Sequence, residues 1–132
     1  MKLVICLSVL ILTSCVDHFS EDALYGSYTP IEYNNNYDTI LLSKDNQYQR
    51  RVWDKNKKLL LNMKGSWYLH GGTQVQFYSF YFNLDDDLVK FPHLINDTTG
   101  GSSSLVKSKN GVIKLRFKYL NGETLYQQVS NK

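Results

Sequence analysis

The chain has 132 residues and a formal net charge of +3, from 15 basic and 12 acidic side chains. This length allows one domain and excludes large multilayer enzymes such as (β/α)₈ barrels. Hydrophobic residues make up 42% of the chain and aromatic residues 14%, including 10 Tyr. That composition is typical of a packed protein and excludes wholesale disorder, and its aromatic enrichment favours β-sheet.

The first element in chain order is an apolar run over residues 3–12, which follows Met1 and Lys2. At about 1.5 Å per residue the run is roughly 15 Å long as a helix, about half of a bilayer core, so it is too short to span a membrane. A short basic start followed by such a run is typical of a secretory signal peptide.

The residues that end this run, Leu12-Thr13-Ser14-Cys15, resemble the bacterial lipobox, in which a large aliphatic residue and two small residues precede an obligatory cysteine. The resemblance implies a lipoprotein signal peptide over residues 1–14 that is cleaved before Cys15. It also implies that Cys15 carries lipid and is acylated with a fatty acid such as palmitate. It also implies a protein held by this lipid in the bacterial cell envelope. Because Val16 and not Asp follows the cysteine, the outer membrane is the expected location.

The cysteine count supports lipidation over the alternative, an ordinary signal peptide with an incidental cysteine. Cys6 leaves with the signal, so Cys15 has no partner for an intramolecular disulfide in the mature chain. Residues 15–23 are polar and acidic without a period, which predicts a solvated tether. The folded domain is therefore expected over residues 24–132.

From residue 24 onward the hydrophobic pattern has a period of two, which predicts seven or eight antiparallel strands. Two Asn-Gly pairs, Asn110-Gly111 and Asn121-Gly122, predict tight hairpins, and Gly65 predicts a bend inside a long strand. The predicted strands are 25–33, 38–43, 47–54, 59–70, 74–83, 105–109, 112–120 and 124–129. Hairpins in sequence order favour an all-β, up-and-down antiparallel barrel, and a β-sandwich is the alternative.

A second resemblance covers residues 25–83. Tyr25-Gly26-Ser27-Tyr28 and Lys64-Gly65-Ser66-Trp67 each place a glycine shortly before an aromatic residue, with alternating strands and Asp45-Asn46 between them. This pattern resembles the small lipocalin-like lipoproteins of bacteria. The resemblance implies a lipocalin-like barrel, and Tyr28 stands where that family usually has Trp.

The sequence predicts no catalytic residues, no cofactor and no metal site. His70 and His93 lack partners at metal-ligand spacing, and no nucleophile or phosphate-binding motif is present. Asp85-Asp86-Asp87 does not match an EF-hand loop, so a solvated acidic turn is favoured over a weak calcium site.

Basic residues cluster at Arg50-Arg51, at Lys55-Lys57-Lys58 and at Lys114-Arg116-Lys118. The small net charge argues against nucleic-acid binding. We expect these clusters to lie on the water-facing side of the sheet, and attraction to anionic lipid or to an acidic partner is the functional alternative.

The predicted strand 74–83 carries aromatic residues on both faces. Strict alternation places Tyr78, Phe80 and Phe82 together, opposite Val75 and Phe77. The first three form a candidate binding face, unless apolar residues of the connection 84–104 cover it.

These observations predict a non-enzymatic envelope lipoprotein that acts by binding, with the membrane reached through its lipid and a protein as a possible partner. One alternative is a surface inhibitor or immunity protein that blocks a toxin, a lysozyme or a phage component. Another is a carrier of a small apolar ligand, which the many bulky inward residues disfavour. An envelope hydrolase is the rival from a different class.

Overall fold

The computed structural model describes residues 17–32, 37–80, 100–119 and 122–130. One short helix precedes eight strands. Their bounds are α1 Glu21–Leu24, β1 Gly26–Pro30, β2 Tyr37–Leu42, β3 Gln47–Trp53, β4 Leu59–His70, β5 Gln74–Tyr78, β6 Gly101–Lys109, β7 Val112–Tyr119 and β8 Gly122–Ser130.

Each strand pairs antiparallel with the next, and β8 returns to pair with β1, so the sheet closes into a barrel. The predicted up-and-down barrel is confirmed, and the sandwich alternative is wrong. Closure gives every strand two neighbours, which removes the exposed edges of an open sheet.

The hairpin turns follow the turn chemistry of the sequence. Asn110 and Gly111 have φ angles of 54° and 77°, as a type I′ turn requires, and join β6 to β7. Asn46 also has a positive φ, 58°, in the turn between β2 and β3. The Asn121 position of the second Asn-Gly pair lies outside the described residues.

Two strand bounds differ from the predicted ones. β5 ends at Tyr78, because Ser79 has a φ of 55° that breaks the extended conformation, and residues 81–83 lie outside the described part. β6 begins at Gly101, inside the connection predicted over 84–104, because residues 101–105 pair with β5. Pairing with a neighbouring strand overrides the weak strand propensity of Gly and Ser.

Gly65 lies in β4 where a side chain has no room. A Cβ there would lie 2.3 Å from the carbonyl oxygen of Tyr78 and 2.8 Å from the Tyr48 ring. The first part of β4 pairs with β3 and the last part, from Trp67, pairs with β5. The close approach of the β5 backbone therefore explains why a glycine occupies this position of β4.

The barrel core is formed by the inward side chains of all eight strands. Phe77, Phe80 and Phe117 pack together with ring centroids 4.7–5.6 Å apart. The other buried hydrophobic residues are Leu24, Tyr28, Ile40, Leu42, Tyr48, Val52, Leu61, Met63, Trp67, Val75, Val106, Ile113, Leu115 and Tyr126.

Up-and-down order gives the barrel two distinct ends. The first end contains residues 17–25 and the turns 43–46, 71–73 and 110–111. The second end contains the turn 54–58, residues 31–32 after β1 and residues 79–80 after β5.

Residues 17–23, the described part of the predicted tether, contact the first end of the barrel. The Phe19 amide donates to the Gly72 carbonyl at 2.8 Å, and Leu24 is fully buried. Gln128 Nε2 donates to the Ala23 carbonyl at 3.0 Å. The three acidic residues of this segment suggested solvation, but its apolar residues pack against the core.

Candidate functional site

A buried ion pair lies inside the barrel. Arg50 on β3 donates through Nε and Nη2 to the two carboxylate oxygens of Asp38 on β2, at 3.1 and 2.7 Å. Arg50 and Asp38 both point inward from adjacent strands. They are only 4% and 9% exposed, respectively. The Tyr126 hydroxyl on β8 donates to the same carboxylate. We call these three residues the interior triad.

The electrostatics of the interior triad keep Arg50 charged. Burial alone would lower the pKa of the guanidinium, but Tyr126 and Asp38 more than offset this, so the pKa of Arg50 lies above its usual value. Burial, with Asp38 nearby, raises the pKa of Tyr126 well above that of a free tyrosine. Both carboxylate oxygens of Asp38 accept hydrogen bonds within the triad, so its geometry is that of a structural pair and not of a general base.

The placement of Arg50 corrects the expectation that the Arg50-Arg51 cluster faces water. Only Arg51 does so, since it is exposed, whereas Arg50 shares the inward face with Tyr48 and Val52. Asp38 is likewise in phase with inward Ile40. The sequence signal for such a pair is two opposite charges on adjacent predicted strands, each at a position where the alternation places a buried residue.

The interior of the barrel is occupied by side chains. The Arg50 guanidinium lies 5.7 Å from the centre of the Phe80 ring, within the range of a cation–π contact. Tyr48 fills the space above Gly65, and its hydroxyl donates to the Ser79 carbonyl at 2.6 Å. A barrel of eight strands has room for its side chains or for one small ligand. Here bulky aromatic rings take up that space.

The predicted aromatic face of Tyr78, Phe80 and Phe82 does not form as expected. Tyr78 is 48% exposed on the outside of the barrel, whereas Phe80 is 1% exposed in the core. The left-handed conformation of Ser79 between them breaks the alternation on which the prediction depended. Phe82 lies outside the described residues.

Tyr78 forms an outer aromatic pair with Tyr68 instead. Their rings stack with centroids 5.7 Å apart and an interplanar angle of 22°. His70 contacts Tyr68 edge-on, with ring centroids 6.3 Å apart. A hydrogen bond with Tyr68 raises the pKa of Tyr78 above that of a free tyrosine.

A second exposed apolar surface lies at the second end of the barrel. Tyr37 at the start of β2 pairs in register with Trp53, and Trp53 pairs with Leu59 at the start of β4. Tyr37 is 59% exposed and Leu59 is 48% exposed. We call these three residues the apolar rim. The outward periodicity of Tyr37 and Trp53 on adjacent strands is the sequence signal for this surface.

The described residues hold no group of three or more His, Cys, Asp or Glu side chains that could bind a metal ion. His70 is exposed at the first end of the barrel. His93, Asp85-Asp86-Asp87 and Cys15 lie outside the described residues. No helix in the described ranges is long and apolar enough to cross a membrane.

Comparison with known proteins gives no relative. No protein family, curated protein or solved structure matches this chain.

Proposed function

We propose that this protein is a non-enzymatic lipoprotein of the bacterial envelope, anchored through lipid on Cys15, whose barrel binds a protein partner. The lipobox resemblance of residues 12–15 supports the anchor and the expected outer-membrane location. The described chain begins at Asp17, beside the first end of the barrel. An anchor on Cys15 would therefore attach to the barrel at its first end and leave the second end free of the anchor.

The observation that carries the binding proposal is the exposure of the apolar rim at the second end. Tyr37, Trp53 and Leu59 are neighbours across three strands, and aromatic side chains are enriched at the centres of protein interfaces. The rim lies at the end of the barrel opposite the expected anchor, so the anchor would leave it accessible. The occupied interior supports a role for the outer surface and disfavours the alternative of ligand carriage.

Photo-crosslinking in intact cells tests this proposal. A photoreactive phenylalanine analogue placed at Tyr37 is expected to capture one partner, identified by mass spectrometry. The same analogue at Tyr68, which is also an exposed aromatic residue on the outside of the barrel, is the matched control. Equal capture from both positions, or capture from Tyr68 alone, would contradict the assignment to the rim.

Extraction of the purified protein with organic solvent tests the carrier alternative separately. The proposal predicts no small apolar molecule in stoichiometric amount, because bulky side chains occupy the barrel. In the crosslinking experiment, a toxin, a lysozyme or a phage component as the captured partner would indicate that the protein acts as an inhibitor. A stoichiometric ligand would contradict the proposed use of the outer surface.

A further inference from the structure

One outer wall of the barrel is strongly basic. Residues of β6 and β7 alternate between the core and the outside, so that Val106 and Leu115 point inward while their neighbours point outward. We call the outward cations of these strands the basic wall. They are Lys107, Lys109, Lys114, Arg116 and Lys118.

The wall carries more positive charge than the barrel itself neutralises. Arg116 pairs with Glu123 on β8, but none of the four lysines has a carboxylate partner among the described residues. Lys107 and Lys114 lie directly opposite each other in the β6–β7 register. Like charges in this position destabilise a sheet, so the wall is arranged for an anionic surface outside the molecule.

Exposed apolar residues are interspersed among these cations. Leu105 pairs with Arg116, and Val112 pairs with Lys109; both apolar side chains are exposed on the outer face. Basic residues mixed with apolar residues match a bilayer surface, where headgroups take the charges and the acyl boundary takes the apolar groups.

The start of the described chain lies against the same wall. Asp17 lines an open groove of about 350 Å³ together with Lys107 and Ser108 of β6. Cys15 precedes Asp17 by two residues, which reach at most about 7 Å. A lipid on Cys15 would therefore bring the Lys107 region of the wall to the headgroup layer.

We propose that the basic wall docks on an anionic phospholipid surface and lays the barrel on its β6–β7 side. This inference rests on the proposed lipid anchor at Cys15. Docking in this manner fixes the orientation of the anchored barrel and leaves the apolar rim of the second end accessible.

Lysine footprinting tests the proposal on the lipidated protein. The protein is reconstituted in vesicles of phosphatidylcholine alone or mixed with phosphatidylglycerol, treated briefly with an amine-reactive reagent and analysed by mass spectrometry. Anionic vesicles are expected to slow labelling of Lys107, Lys109 and Lys114 at least about fivefold. This factor corresponds to an attraction of about 1 kcal/mol between each lysine and the anionic surface. High salt is expected to abolish this protection. Labelling of Lys55 and Lys57 in the turn at the second end is expected to stay unchanged.

Charge reversal supplies the matched variants. Lys107→Glu combined with Lys114→Glu is expected to remove the protection of Lys109 on anionic vesicles. Lys55→Glu combined with Lys57→Glu changes the net charge equally at the other end and is expected to leave that protection intact. Melting temperatures verify that both variants are folded. Equal labelling of Lys109 in both vesicle types would overturn the proposal, and would point to an acidic protein as the occupant of the wall.

Failure of the anchor can be distinguished from failure of the wall. A protein without lipid would not float with vesicles of pure phosphatidylcholine, which contradicts the anchor whatever the wall does. A protein that floats with both vesicle types but shows equal labelling contradicts only the docking of the wall.

Discussion

Removal of the carboxylate from the interior triad tests whether the barrel encloses a charged pair. Asp38→Ala removes a carboxylate that accepts from the guanidinium of Arg50, only 4% exposed, and from the Tyr126 hydroxyl. Arginine stays charged at any accessible pH, so the buried charge cannot be relieved by loss of a proton. Breaking a buried pair in this way costs about 3–5 kcal/mol of the free energy of unfolding.

The double variant Asp38→Leu with Arg50→Met separates the cost of an unpaired charge from the net value of the pair. Both changes fill the space with apolar groups and leave no buried charge behind. Such replacements are often neutral or stabilising, so the double variant is expected within about 1 kcal/mol of the wild type or above it. The coupling energy between the two positions, measured with the single variants Asp38→Leu and Arg50→Met, should then be at least about 2 kcal/mol.

Urea unfolding followed by tryptophan fluorescence measures these differences, since Trp53 and Trp67 report on the outside and the core of the barrel. With a slope of about 1.5 kcal/mol per M, within the usual range for small domains, a loss of 3–5 kcal/mol lowers the midpoint by about 2–3 M. A domain of ordinary stability would approach its unfolding threshold under this loss.

Two results would refute the reasoning. Loss of less than about 1 kcal/mol in Asp38→Ala would mean that the guanidinium reaches solvent. Additive effects of the two substitutions would mean that the residues do not interact in the folded protein.

Three further predictions concern the same barrel. Burial raises the pKa of Tyr28 and of Tyr126, so between pH 10 and the folded-state pKa the unfolded chain loses protons that the folded chain keeps. Each residue should therefore lower the free energy of unfolding by about 1.4 kcal/mol per pH unit above pH 10, with no effect below it. In Tyr28→Phe, the melting temperature should fall less steeply with pH in this alkaline range. An unchanged dependence on pH would exclude a contribution from Tyr28. Gly65→Ala should cost about 2 kcal/mol or more, because its Cβ would lie 2.3 Å from a carbonyl oxygen. Gly71→Ala should cost less, about 1 kcal/mol, because a Cβ there meets nothing within 4 Å and only the left-handed φ of 57° is strained. The reverse order in urea unfolding would contradict the steric account. The buried Ser104 hydroxyl has no hydrogen-bond partner in the described part of the chain, so Ser104→Ala should raise the melting temperature by the equivalent of about 1 kcal/mol, and a lower melting temperature would show that the hydroxyl is bonded.

Most of the fold could be predicted from local patterns. Alternation identified β4 with its observed bounds, Leu59–His70, and the Asn110-Gly111 pair identified its hairpin. Hairpins in sequence order then favoured a meander that closes on itself. These signals are local, so they are visible without knowledge of the other strands.

The remaining features depend on contacts between distant parts of the chain. The Ser-rich start of β6 becomes a strand only through pairing with β5, and the acidic segment before β1 becomes ordered only through contacts such as that of Phe19 with Gly72. Phe80 enters the core because one left-handed residue precedes it, which alternation cannot show. The predicted aromatic face is therefore divided, with Tyr78 on the outside of the barrel and Phe80 in its core.

The basic clusters illustrate the same limit. Residue type alone indicated exposure for Arg50 and for Lys114, but only Lys114 is on the outer face. Phase with the buried face was the better guide to Arg50, since both strand neighbours in that phase are hydrophobic or aromatic. A charged residue at an inward position of a strand can remain inside the barrel when an opposite charge is there to pair with it.

The central claim of this account is that a lipid on Cys15 anchors the barrel at the bacterial envelope. Labelled palmitate, supplied to cells that produce the wild type or Cys15→Ala, tests it most directly when combined with separation of membranes from soluble protein. We predict label and membrane association for the wild type and neither for the variant. Membrane association that survives the substitution, or a wild type without label, would contradict the anchor.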